Sequence, residues 1–271
     1  MKTCILKRLT VISVFTIGVC FSGYCNKPTP EQVAERTNLL FHAIASNDVE
    51  QAKACIEFGA NVNAIQGEEG PTPLLYAIQK NRIEMVEVLA KSKVDLNKAS
   101  RVTDRRKWTP LALACAKGNY DVVNILIKYG ADVNRDDGHS SFPINHAASM
   151  GKNDIVSLLI KSGADVNAKS KSGFTPLMSG SENMAVVETL IKAGADINGK
   201  DNEGRTVLML ASTKEKNNDI VAFLIKSGAD VNAKDNHGSS ALWYANYKSK
   251  DRFLRPNEGI IAQLLAAGAT E

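Results

Sequence analysis

The 271-residue chain is poor in the residue sets that carry chemistry. It has no Gly-rich phosphate loop, no nucleophile elbow and no His-Glu metal helix, which argues against nucleotide hydrolysis, serine-type acyl transfer and zincin-type proteolysis. Its four histidines form neither a ligand set nor a catalytic set, and no spacing gathers titratable groups into a cleft. Aromatic residues make up only 6% of the chain, yet apolar content is 44%, enough to bury a large core and too much for a disordered polymer. Cysteine is scarce and unevenly placed. Three of the five, Cys4, Cys20 and Cys25, fall in the first 25 residues, leaving Cys55 and Cys115 for the rest.

Long apolar runs are missing everywhere except at the start. Lys2, Lys7 and Arg8 precede an apolar run from Leu9 to about Phe21, followed by Ser22 and Gly23. A basic n-region, an apolar h-region and small residues read as a secretory signal peptide over residues 1–25, which places the protein outside the cytoplasm, periplasmic or secreted. Two alternatives stay open. Retention as an anchor is one, although the run is shorter than the roughly 20 residues a spanning helix needs. Lipidation at Cys20 or Cys25 is the other, although Ile17-Gly18-Val19 and Ser22-Gly23-Tyr24 fit the small-residue rule of lipoprotein signals poorly. Removing the signal deletes three basic residues and no acid, so the net charge of +4 falls to +1. A nearly neutral chain without a nucleic-acid motif has no field to hold a phosphate backbone, so nucleic acid is not an expected partner.

What the chain has in abundance is repetition. Gly-Ala-Asp-Val-Asn stands at 130–134, 163–167 and 228–232, with variants at 59–63, 94–97, 194–198 and 268–269. Taking the Gly of each tail as the mark, with Ser92 in that slot once, the steps are 33, 38, 33, 31, 34 and 40 residues. A second motif keeps register upstream: Thr-Pro-Leu at 72, 109 and 175, degraded to Phe142-Pro143-Ile144, Thr206-Val207-Leu208 and Ser240-Ala241-Leu242. Thr then Pro is an N-cap followed by the helical position where a missing N–H costs nothing. A second helix follows in each copy, with apolar pairs at helical spacing such as Val122, Val123, Leu126 and Ile127. One helix pair cannot bury that stripe alone, so neighbouring copies must stack. The tail Gly ends the second helix, and the Asp and Asn after it bond their own backbone to turn the chain into a hairpin. Thr29-Pro30-Glu31-Gln32 reads as a capping box that opens the first helix.

A period near 33 carrying Thr-Pro-Leu-x-x-Ala resembles the ankyrin-repeat family, in a bacterial-type exported form, from about residue 31 to the end. The expected fold is an all-α repeat solenoid, an ankyrin-repeat array of about seven units over residues 26–271. The copies lie at approximately 34–66, 70–99, 107–137, 140–170, 173–202, 204–235 and 238–271. The resemblance implies structural roles for His42 and His146, which fall where the family keeps a loop-bonding His. It also implies binding of protein partners through hairpin tips and the concave face of the first helices. Cys55 and Cys115 occupy core slots two copies apart, beyond disulfide reach at about 10 Å per copy. The acidic tip Asp136-Asp137-Gly138-His139 stands on an open hairpin that does not close a metal shell.

Departures from the template mark the candidate site. The third copy is preceded by a finger, residues 98–108, with five basic residues against one acid, Arg101, Arg105, Arg106 and Lys107 among them, ending in Trp108. The slot just before each Thr-Pro position runs Pro71, Trp108, Ser141, Phe174, Arg205 and Ser239. Trp, Phe and Arg at a slot expected to face solvent are residue types enriched at binding hot spots. The plain alternative is a solvated loop with Trp108 folded back as a lid on the neighbouring hairpin. The candidate partner-binding set is therefore Arg101, Arg105, Arg106, Lys107, Trp108, His139, Phe174 and Arg205. A second insertion, at 248–259, is read as a modified cap with Pro256 and Gly259 in a loop between the last two helices. The fifth copy is short at 180–185, which predicts an irregular turn between its helices.

These features point to a non-enzymatic, exported, monomeric module that binds a protein partner, with no cofactor, metal or small-molecule substrate. A narrower version is an inhibitor, immunity protein or protective partner of a periplasmic or secreted enzyme or toxin. Two rival classes are an enzyme or metal protein using the array as a frame, for which His139 and His237 would be the residues to mutate, and a self-assembling envelope scaffold.

Overall fold

The computed structural model describes residues 27–102, 106–137, 141–246 and 256–270. The 1–25 leader with Cys20 and Cys25, the finger residue Arg105, the tip residue His139 and most of the 248–259 insertion lie outside the described residues.

Seven helix pairs follow one another. They are α1 (Pro30–Ser46) and α2 (Val49–Glu57), α3 (Pro73–Gln79) and α4 (Ile83–Lys91), α5 (Pro110–Lys117) and α6 (Tyr120–Lys128), α7 (Pro143–Ser149) and α8 (Asn153–Lys161), α9 (Pro176–Ser179) and α10 (Met184–Lys192), α11 (Val207–Ser212) and α12 (Asn218–Lys226), and α13 (Ala241–Asn246) and α14 (Glu258–Ala266). The caps are those the Thr-Pro motif predicts. Thr72, Thr109, Thr175 and Thr206 each accept a backbone N–H three residues on, at 3.3–3.4 Å, and Thr29 and Gln32 close a capping box. Phe142 makes no such bond, since its side chain has no acceptor.

First helices pack on first helices and second on second along the whole chain, giving two layers. The seam between them is one continuous apolar cluster from Leu40 to Ala269, to which each copy adds its Val/Ile/Leu pairs. This is the core that a single pair could not bury. The tail Gly adopts a positive φ at all six Gly marks, from Gly59 (91°) to Gly268 (86°), a region costly for any residue with a Cβ. In the second copy the register of Asp95 and Asn97 puts this slot at Lys93, which is not among the positive-φ residues, and the C-cap Ser92 before it is extended at φ −82°.

Each tail also ties its copy to the next. The Asp (or Asn61) side chain accepts the N–H of the Asn two residues on, at 2.9–3.0 Å. That fixes the Asn, whose own oxygen then accepts a backbone N–H of the following copy at 2.7–2.9 Å, at all six joints from Asn63–Asp95 to Asn232–Thr270. At five joints the amide also donates to a carbonyl of that copy, as from Asn134 to Gly163 at 3.0 Å.

Three local expectations need correction or sharpening. Gly259 is not in a loop but in the first turn of α14, after a buried Asn257 whose amide donates to the Ser212 carbonyl at 2.7 Å. His42 is exposed on α1, and no hydrogen bond from its ring to a loop is seen. The short fifth copy does give an irregular turn: α9 has four residues and ends at Gly180 with φ −95° rather than in the left-handed region.

Candidate functional site

The hairpins between copies are closed by buried carboxylates. Asp137, Asp201 and Asp235 are 3%, 6% and 8% exposed, although their sequence context reads as open turn. One oxygen of each accepts hairpin N–H groups, from Ser141 at 3.2 Å, from Glu203 and Arg205 at 2.9 and 2.8 Å, and from His237 and Ser239 at 2.8 Å each. This is the ordinary habit of Asp in turns, extended to four residues. Ser170 does the same for Phe174 at 3.0 Å.

The second oxygen reaches outward to a side chain on the hairpin or on the following first helix. Asp137 meets His146 Nε2 at 3.0 Å, Asp201 accepts from Arg205 Nε at 2.8 Å, and Asp235 accepts from the Tyr244 hydroxyl at 2.8 Å. Burial pushes the Tyr244 hydroxyl up to about 12, with the bond to Asp235 adding to it. Burial alone would raise Asp235, but the bonds from Tyr244, Ser239 and His237 outweigh it and hold the carboxyl below its ordinary value. Arg205 is raised: desolvation works against its charge, and Asp201 and Glu203 overcome it. His146 thus has the structural bond the resemblance implied, while His42 does not.

These contacts relocate the residues before the Thr-Pro slots. Trp108, Phe174 and Arg205 are half-buried rather than solvent-facing, and both rings pack on the core cluster. The Trp108 ring lies 5.0 Å from the His146 ring, at 44°. The Arg205 guanidinium stands 5.5 Å from the centre of the Phe174 ring and also pairs with Glu203 at 3.2 Å. The backbone links the two groups, because Asn145, next to His146, donates to the Phe174 carbonyl at 3.1 Å. The correction has a physical cause: a large ring beside the cap of a short helix gains more from covering the next copy than from standing in water.

The finger forms the array's one two-stranded ladder among the described residues, β1 (Ser100–Arg101) against β2 (Lys107–Trp108), with Ser100 opposite Trp108. Arg101 pairs with Glu69 of the preceding hairpin, whereas Arg106 and Lys107 are exposed. The structure therefore brings Trp108, Phe174 and Arg205 onto one hairpin-and-helix face, with Arg101, Arg106 and Lys107 at its finger.

Sequence reasoning missed two groups on this face. Tyr76 and Leu113 take on α3 and α5 the slot that His146 fills on α7, and Lys80 lies 5.5 Å over the Tyr76 ring. The signal was present in the fourth position after each cap. Cys55 and Cys115 are both buried free thiols, and burial raises both. Among the described residues no three His, Cys, Asp or Glu side chains gather as a metal set, and no helix is long and apolar enough to cross a membrane.

A two-layer helix stack with a knitted hairpin edge defines a repeat protein. The chain belongs to the ankyrin-repeat family: the family model described as ankyrin repeats (3 copies) matches residues 20–100, 40–137, 136–201 and 179–255. It is 29% identical over 121 residues to "Ankyrin repeat and SAM domain-containing protein 6" of Rattus norvegicus, covering 44% of this chain and 13% of that one. It is 28% identical over 119 residues to "Putative ankyrin repeat protein FPV014" of fowlpox virus, covering 44% of this chain and 26% of the viral protein. The chain thus spans well under a third of either relative. The human ASB11 ankyrin repeat domain superposes with a TM-score of 0.69 at 23% identity, covering 86% of this chain and 98% of that domain, a likeness of fold alone. Relatives from an animal and a virus carry the repeat family but not a bacterial source or export.

Proposed function

We propose that the protein is a non-enzymatic, exported interaction module that binds a protein partner through its hairpins and the face of its first helices. Ankyrin repeats generally mediate protein–protein interaction, and this chain adds a specific candidate surface. The observation that carries the reading is the row of aromatic and cationic side chains, Trp108 with His146 and Phe174 with Arg205, held in place by buried hairpin groups. Preorganised aromatic and Arg side chains are the types that dominate interface energetics. Export rests on the leader-like pattern of residues 1–25.

Affinity capture from envelope and secreted fractions tests the site, with the wild-type chain beside an Arg106→Ala/Lys107→Ala variant. Trp108 is left intact because its ring also packs on the core. A partner held by the wild type and released by the variant is the expected result, and equal retention would move the site elsewhere. For export, the expected finding is a chain lacking about its first 25 residues outside the cytoplasm. An intact leader on a cytoplasmic chain would remove that part of the proposal.

A further inference from the structure

We infer that the partner's contacting segment is acidic and lies along α5, from the basic finger at one end to Lys117 at the other. This rests on the protein-binding reading above and adds the chemistry of the partner.

From the second copy on, charge is sorted between the two layers, whereas α1 carries Glu31 and Glu35. Each second helix, α2 to α14, carries at least one Asp or Glu, while the first helices α3, α5, α7, α9, α11 and α13 carry none. Burial alone does not explain this. The first helices do have exposed positions, and Lys117, Ser149 and Asn246 fill them. The hairpin side follows the same trend around copy three, where residues 98–108 set five basic side chains against one acid.

The floor of this face fits an extended chain. Tyr76, Leu113 and His146 lie side by side on α3, α5 and α7, and the aliphatic Leu113 stands between two rings, with Trp108 backing His146. Eight residues of α5 separate the finger from its far end by about 12 Å, the length of roughly four extended residues. Exposed Arg106 and Lys107 stand at one end of that path. Exposed Lys117 stands at the other, with Lys80 about one interhelical distance, some 10 Å, to the side. Lys80 and Lys117 make no ion pair among the described residues, whereas Lys214 and Lys216 of the sixth copy share Glu182 at 3.1 and 2.5 Å. With the finger, Lys80 and Lys117 place exposed positive charge on the first-helix side of the second and third copies. Carboxylates at both ends of an apolar stretch match that pattern. A nucleic-acid strand matches it poorly, because it carries a charge at every nucleotide with no apolar stretch between. The face offers cations about once per copy, flanked by Glu68 and Glu203.

Fluorescence anisotropy on the full chain tests this with three probes: a labelled peptide of alternating Glu and Leu, its Lys–Leu counterpart, and a single-stranded DNA of matching charge. The expected result is binding of the Glu–Leu peptide alone, weakening as salt rises, with a loss of about tenfold or more in K80E/K117E. The exposed Lys226 on the second-helix layer provides a control, and K226E should bind as the wild type does. All variants change exposed positions, and an unchanged thermal midpoint verifies that they fold. Absence of Glu–Leu binding, equal binding by K80E/K117E, or tighter binding of the DNA would overturn the inference. A captured protein lost with Arg106→Ala/Lys107→Ala but kept by K80E/K117E would overturn the acidic assignment while leaving the protein-binding reading in place.

Discussion

Asn134 stands at the joint between the third and fourth copies, and replacing it with Ala tests how the array is held. Its side-chain oxygen accepts the Asp165 N–H at 2.9 Å and its amide donates to the Gly163 carbonyl at 3.0 Å. Its own N–H donates to Asp132 at 2.9 Å. Ala keeps the last of these and deletes the two that cross the joint. A net hydrogen bond contributes about 0.5–1.5 kcal/mol, and these are solvent-exposed, so water takes up much of the freed capacity. The pair is therefore worth about 1–2 kcal/mol. In a stack with nearest-neighbour coupling, that loss falls on one interface instead of being shared. The expected result is a lower denaturation midpoint, with faster hydrogen exchange at the Asp165 amide than at the Asp196 amide one joint further on. Asn134→Asp keeps the acceptor but sets a carboxylate oxygen against the Gly163 carbonyl, so it should be no milder than Ala at neutral pH. An unchanged midpoint with full protection at Asp165 would refute the claim that these amides join the copies.

Three further outcomes follow from the same geometry. Tyr244, raised to about 12 by burial and then by Asp235, contributes stability that is complete below about pH 10, the unfolded value, and lost as pH climbs through 12; Tyr244→Phe should abolish that dependence in alkaline denaturation curves. Asp235 works in the opposite direction: its lowered carboxyl stabilises above its unfolded value near pH 3.9, and that share disappears as pH falls below it, a loss Asp235→Asn should remove from acid titrations. Gly173→Ala should cost more than Gly163→Ala, although both have φ of 80–88°, because a Cβ at 173 would meet the Asn202 backbone at 2.5 Å and one at 163 meets nothing within 4 Å. The left-handed strain common to both is about 1–2 kcal/mol, so paired denaturation curves should separate by the clash alone.

The helix pairs, their caps and their seam were legible in the sequence because each depends on residues a few positions apart. Thr at a cap, Pro after it and apolar pairs at helical spacing act locally, and the structure places them as read. The reach of Asn134 to Asp165 was not legible, since the Asp-Asn tail accounts for its own turn and gives no sign of a partner in the next copy. Asp137 was misread for a related reason. Beside Gly138 it looks like an open tip, and only the stacking of α7 brings His146 over it. The finger was found as a break in spacing, yet a break does not say which way a ring points, and Trp108 turned inward onto the neighbouring copy. The lack of acids on the first helices after α1 was in the sequence throughout. Its meaning emerged only once those helices formed one layer.

The most direct test of the binding face is site-specific photocrosslinking in cells expressing the chain, with a benzoylphenylalanine at Lys107 on the finger or at Lys226 on the second-helix layer. Both positions are exposed, so neither probe disturbs the core. The account predicts a discrete crosslinked protein from position 107 and none from position 226. A partner captured from 226 and absent at 107 would contradict it.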